Sequence, residues 1–131
     1  MAVAHTLTLH IDHAQEGTYL RLPFTMPAGT ERLTICYRYE RYRESDAGGG
    51  FTTSEEVNII DLALVAPNGS EAGASEPNGA SGSNKSQVII SATWATPGYR
   101  PMSLTPGVWQ IIVGAYQVAP EGVDITYELT F

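Results

Sequence analysis

Cysteine is nearly absent from this sequence: Cys36 is the single one in 131 residues, so no internal disulfide can form. The fold must therefore rest on its core. At this length a chain buries roughly two-thirds of its unfolded surface, enough to dispense with cross-links or a structural metal. Basic residues are also scarce. Seven Lys and Arg stand against 14 Asp and Glu, a net charge of −7, which removes any general attraction for phosphate backbones or anionic lipid. Neither nucleic acid nor a membrane is expected as a partner. No run approaches the ~20 apolar residues of a membrane span. The opening stretch from Met1 to His10 lacks both a basic start and a continuous apolar run, so it does not read as a signal peptide. With its unpaired cysteine, the chain is expected to be a soluble, cytoplasmic protein forming one domain over residues 1–131.

No stretch carries the 3.6-residue apolar period of a helix; period-2 alternation dominates instead. From Val123 through Ile125, Tyr127 and Leu129 to Phe131 every odd position is apolar and every even one polar, the pattern of a strand with one buried face. Leu33–Glu40 repeats it. Trp109, Ile111, Val113 and Ala115 make one face of a further strand, and the apolar Ile112 and Tyr116 on the other face place that strand centrally. Ile59–Val65 is apolar apart from Asp61. Shorter strands are expected at Leu7–Ile11, Thr18–Phe24 and Gln87–Ala92. Turn formers at Pro27–Gly29, Pro67–Gly69, Pro97–Gly98, Pro106–Gly107 and Pro120–Gly122 close them. Strands at this spacing predict an all-β, antiparallel, jelly-roll-like sandwich with little or no helix. Two segments break the rhythm: Glu44–Glu56 reads as a flexible acidic connection, and residues 66–86, rich in Gly, Ser, Asn and Ala, read as a long mobile loop.

Few residues offer chemistry. His5, His10 and His13 lie close together, but on a strand His10 and Asp12 share a face that His13 does not, so a metal site is not expected from them. Cys36 lies mid-strand with no neighbouring base and reads as a packing residue. Tyr37–Arg43 interleaves arginine with tyrosine, as nucleic-acid surfaces do. Alternation already accounts for Tyr37 and Tyr39 as inward residues, which leaves Arg38, Arg41 and Arg43 as outer charges facing nearby carboxylates. Asp61 interrupts an apolar run and must be hydrogen-bonded, paired or coordinating a cation. With Asn58 it is the weak candidate for a calcium site, and a hydrogen bond to a turn is the plainer role. In the loop from Trp94 to Met102, the residues Trp94, Tyr99 and Arg100 are the candidate binding surface, either as a stacking platform or, for the two aromatics, as a cover over one end of the sandwich. No catalytic residue and no cofactor-binding residue is assigned.

Several segments together resemble one known module. Leu22–Phe24, Pro27–Gly29, Asn58–Gly69, Ala95–Tyr99, Leu104–Tyr116 and Pro120–Leu129 are similar, in this order, to the N-terminal β-sandwich of bacterial metallohydrolases of the polymerase-and-histidinol-phosphatase (PHP) superfamily. Ala80–Ser83 departs from a Gly-Trp-Ser-Gly-like element of that family by lacking its tryptophan. The superfamily's His-x-His motif has no counterpart in this chain. The resemblance thus implies a non-catalytic accessory domain that shields, orients or oligomerises a C-terminal catalytic domain of the same polypeptide. It places divalent metals only in that other domain, which would be a metal-dependent phosphoesterase. The alternative is a free-standing carbohydrate- or calcium-binding sandwich, and a self-associating scaffold, a homo-oligomer, is the third reading.

Overall fold

A computed structural model describes residues 4–48, 50–67, 79–81 and 86–131. Ten strands follow the chain: β1 (Ala4–Ile11), β2 (Thr18–Met26), β3 (Arg32–Arg38), β4 (Tyr42–Gly48), β5 (Phe51–Glu56), β6 (Ile59–Val65), β7 (Gly79–Ser81), β8 (Gln87–Ser91), β9 (Gly107–Gln117) and β10 (Val123–Thr130). A three-residue 3-10 turn at His13–Gln15 lies between β1 and β2.

Eight of the strands build two antiparallel four-stranded sheets, ordered β1-β10-β3-β8 and β2-β9-β6-β7. Among these eight, only β6 is followed by a strand of its own sheet, β7; every other step along the chain crosses to the opposite sheet. With β4 and β5 set aside, this is the strand order of an eight-stranded jelly roll. The alternation seen in the sequence is what faces the sheets toward each other. Val123, Ile125, Tyr127 and Leu129 of β10 are all buried, and Leu33, Ile35 and Tyr37 meet them from β3. From the second sheet come Ile60, Leu62 and Leu64 of β6 and Trp109, Ile111, Val113 and Ala115 of β9. Each large aliphatic side chain so buried contributes about 1.5–3 kcal/mol. Trp109 is fully buried, and its indole N–H donates to the Thr105 carbonyl at 2.9 Å, so its polar end is matched. As its two apolar faces predict, β9 is central, paired with β2 along nine residues and with β6 along seven.

Two expectations are corrected. Residues 44–56 are not an irregular connection: β4 and β5 pair from Tyr42↔Glu56 to Gly48↔Phe51 as a two-stranded sheet of their own. The turn between them uses Gly50 at φ +83°, a conformation that glycine reaches at no steric cost. Within the stretch expected as a loop over 66–86, Gly79–Ser81 forms β7 on the edge of β6; residues 68–78 and 82–85 lie outside the described residues.

The root of the β4–β5 hairpin is locked to the sandwich by polar contacts. Asn58, the one buried polar residue among those described, donates from Nδ2 to the Glu40 carbonyl at 2.6 Å and accepts at Oδ1 from the Ala119 N–H at 2.8 Å. Val57 N–H donates to the Arg41 carbonyl at 2.8 Å, and Gln117 donates to the Glu56 carbonyl at 2.6 Å. At the register shift between Ile59 and Ile60 the Ile60 N–H turns to the Tyr39 hydroxyl at 3.1 Å. The arginines of this region are paired as their outer positions suggest: Arg41 with Glu56 at 2.5 Å, Arg43 with Glu40 and Glu121, and Arg38 with Glu128 at 3.0 Å.

Candidate functional site

The loop singled out in the sequence divides in the structure. Trp94 is 54% exposed, in a turn after β8 that is closed by Ser91: Ser91 N–H and Oγ–H donate to the Trp94 carbonyl at 2.8 and 3.0 Å. Arg100 is exposed as well. Tyr99 is buried, and its hydroxyl donates to the Leu62 carbonyl at 3.1 Å. Tyr99 therefore belongs to the core, in the covering role weighed for it, and a platform built from all three residues is corrected to Trp94 and Arg100 at most. Nearby, the β2–β3 turn, the end of β8 and residues 103–105 enclose an open groove of about 820 Å³, with hydroxyl-bearing walls at Thr30, Ser91, Ser103 and Thr105.

The histidines have separate partners. His10 Nδ1 lies 2.7 Å from an Asp124 carboxylate oxygen, and its Nε2 lies 3.1 Å from Asp12. The bond to Asp124 is the main reason that the His10 pKa stands above its ordinary value. His13 instead places Nδ1 2.6 Å from the Val118 carbonyl. Among the described residues, no three His, Cys, Asp or Glu side chains are grouped to hold a metal ion. Cys36 sits half-buried on β3, where the Gln87 amide donates to its sulfur at 3.6 Å.

Asp61 proves to be on the outer face of its sheet. The inward positions of β6 are Ile60, Leu62 and Leu64, so the residues between them, Asp61 and Ala63, face outward and are half-exposed. Asn58, coupled with it in the sequence reading as a calcium ligand, is corrected: both ends of its amide are engaged by backbone at the hairpin root.

What the sequence reading missed is what Asp61 faces. In the ladder Asp61 is opposite Gly114 of β9, and Gly114 is opposite Tyr19 of β2. A Cβ at Gly114 would lie 3.1 Å from the Asp61 Cβ and 3.4 Å from Tyr19 Cε1. The glycine thus lets an aromatic ring and a carboxylate draw together over the middle strand. Tyr116, two residues along the same face of β9, completes a slot of about 60 Å³ lined by Tyr19, Asp61, Gly114 and Tyr116 together with Gly17, Thr18 and Ala115. Tyr19 is 77% exposed and Tyr116 69%, the two highest values among the large hydrophobic side chains described. Two exposed tyrosines thus stand beside a carboxylate on the outer face of this sheet. The sequence signal that could have found it is Gly114, a glycine inside an apolar strand, where it weakens the strand unless close approach requires it.

Three further tyrosines are spent internally. Tyr127, Tyr37 and Tyr39 stack in a row, with centroids 5.6 and 6.0 Å apart, and burial pushes the Tyr37 and Tyr127 hydroxyl pKa values up, away from any use as a base. Among the described residues no helix is long and apolar enough to cross a membrane. Neither the family models nor the curated proteins yield a match to this chain.

Proposed function

We propose that this chain is a non-catalytic binding domain whose working surface is the outer face of the β2-β9-β6 sheet. One observation carries it: Tyr19 and Tyr116 stand open to solvent on adjacent strands, around Asp61, on a floor opened by Gly114. Large aromatics left exposed on a sheet that has a complete core of its own mark an interaction surface. The test is an amide and tyrosine-ring NMR titration against glycans and small organic ions, repeated with the Tyr19→Ala/Tyr116→Ala double variant. Ligand-dependent shifts centred on Gly114 and lost in the double variant are expected. Shifts centred on the groove beside Ser91 and unaltered in the variant would overturn the assignment.

The accessory role beside a PHP-type phosphoesterase is supported by the ordered resemblance of the sequence segments, and it is compatible with a binding face. It predicts that the pure chain, supplied with manganese or zinc, hydrolyses no phosphoester. Turnover that survives further purification contradicts it.

A further inference from the structure

The slot between Tyr19, Asp61 and Tyr116 has a definite chemical preference. Its floor is the backbone of β9 at Gly114, which is paired with β2 on one side and β6 on the other. The ladders occupy the amide N–H groups there, leaving few backbone donors for an anion. The walls are two aromatic rings, whose faces carry negative potential, and a carboxylate whose Oδ2 lies 3.7 Å from the Cβ position of Gly114. The carboxylate favours positive charge, an aromatic face turned to the ligand adds to it, and the chain's net charge of −7 acts in the same direction at longer range. A neutral ligand would gain contact area alone; a cation would gain contact with the rings and with the carboxylate.

Size narrows the class. At about 60 Å³ the slot is small, which suits a compact ammonium head on an alkyl stem. Resting on the reading of this face as the binding surface, we propose that the slot binds the ammonium head of an alkylamine. Gly114 has a specific part in this: alanine there would place a methyl group 3.1 Å from the Asp61 Cβ and against the Tyr19 ring, filling the floor.

The experiment titrates the chain with n-butylammonium chloride and with 1-butanol, its neutral counterpart of the same length, in about 0.15 M salt, where long-range attraction is largely screened. A saturable shift of the Gly114 amide and of the Tyr19 and Tyr116 ring signals is expected, with affinity for the ammonium at least about tenfold above that for the alcohol. Asp61→Asn should remove most of that preference while its amide spectrum shows the fold retained. Gly114→Ala should abolish binding, and if it also disturbs folding, Asp61→Asn decides alone. A parallel arm uses a capped tripeptide with a central lysine: shifts at the same residues point to a lysine side chain as the natural source, and shifts with the free amine alone point to a small molecule.

Equal affinity for amine and alcohol, or binding of a glycan at these residues with no response to either ammonium, overturns the ammonium proposal and leaves the binding face standing. Ammonium-induced shifts that appear only around the β4–β5 hairpin, unchanged by Asp61→Asn, overturn both.

Discussion

Three buried tyrosines provide a controlled test of the interior, because the same deletion should change stability in opposite directions. Tyr37 donates its hydroxyl to the Ile60 carbonyl at 3.2 Å, and Tyr99 donates to the Leu62 carbonyl at 3.1 Å. Tyr127 is fully buried against the Tyr37 ring, yet its hydroxyl meets no hydrogen-bond partner among the described residues. Burying a hydroxyl without a partner costs about 1–3 kcal/mol, whereas a satisfied one contributes about 0.5–1.5 kcal/mol net. Tyr127→Phe removes the penalty, and the ring, with its stacking and its apolar area, stays. It should stabilise the chain by about 1 kcal/mol. Tyr37→Phe and Tyr99→Phe should each cost about 1 kcal/mol. Urea unfolding followed by circular dichroism reads these as shifts of midpoint at constant slope. By thermal scan the same changes correspond to roughly 3–5 °C up or down for a chain of this length. If Tyr127→Phe destabilises as much as Tyr37→Phe, the reasoning is refuted: the hydroxyl then has a partner, such as a buried water.

The remaining expectations concern the hairpin root, a turn and a titration. Asn58→Ala leaves the Glu40 carbonyl and the Ala119 N–H without their side-chain partner and should cost about 2–4 kcal/mol by urea unfolding; a loss below about 0.5 kcal/mol would show that the root is held without it. Gly122 sits at φ +86°, where an added Cβ would lie 2.8 Å from the Ile11 carbonyl oxygen and 2.9 Å from the His10 ring. Gly122→Ala should therefore cost about 2–4 kcal/mol, and a neutral result by thermal scan would contradict this backbone geometry. His10 has its pKa raised above 6.5, chiefly by its hydrogen bond to Asp124. A raised folded-state pKa stabilises the chain at pH below 6.5, and the gain fades as pH rises through the folded value. The difference in thermal midpoint between the natural chain and His10→Gln should accordingly shrink from pH 5.5 to 8, at about the values that bracket an ordinary histidine. A difference that grows over this range would reverse the assignment.

The sandwich was legible because its strands carry period-2 alternation wherever one face is buried. Val123–Leu129 and Leu33–Tyr37 stand in the structure with the faces that their sequence assigns. β4 and β5 were not legible for the same reason: paired only with each other in a sheet of their own, they need no apolar face and show no alternation to read. β7 escaped notice because three residues, Gly79–Ser81, on the edge of β6 leave no pattern. The candidate surface was only half visible. The interruption at Asp61 was plain, but its meaning depended on register across three strands, which brings Tyr19, Gly114 and Asp61 abreast from positions 19, 114 and 61. Gly114 alone hints at it locally; which residues meet there is set by the register. Tyr99 stayed open between platform and cover because an aromatic in a Pro-Gly loop can fold either way, and the hydrogen bond that turns it inward is to Leu62, distant in the chain.

The central claim is that the outer face of the β2-β9-β6 sheet is where this chain meets its ligand. Most direct is the NMR titration with n-butylammonium on the natural chain and on Tyr19→Ala/Tyr116→Ala. Saturable shifts at Gly114, Asp61 and the two tyrosine rings, absent from the double variant while its fold is retained, are the predicted result. Binding that persists in the double variant, with shifts mapping away from these residues, would contradict it.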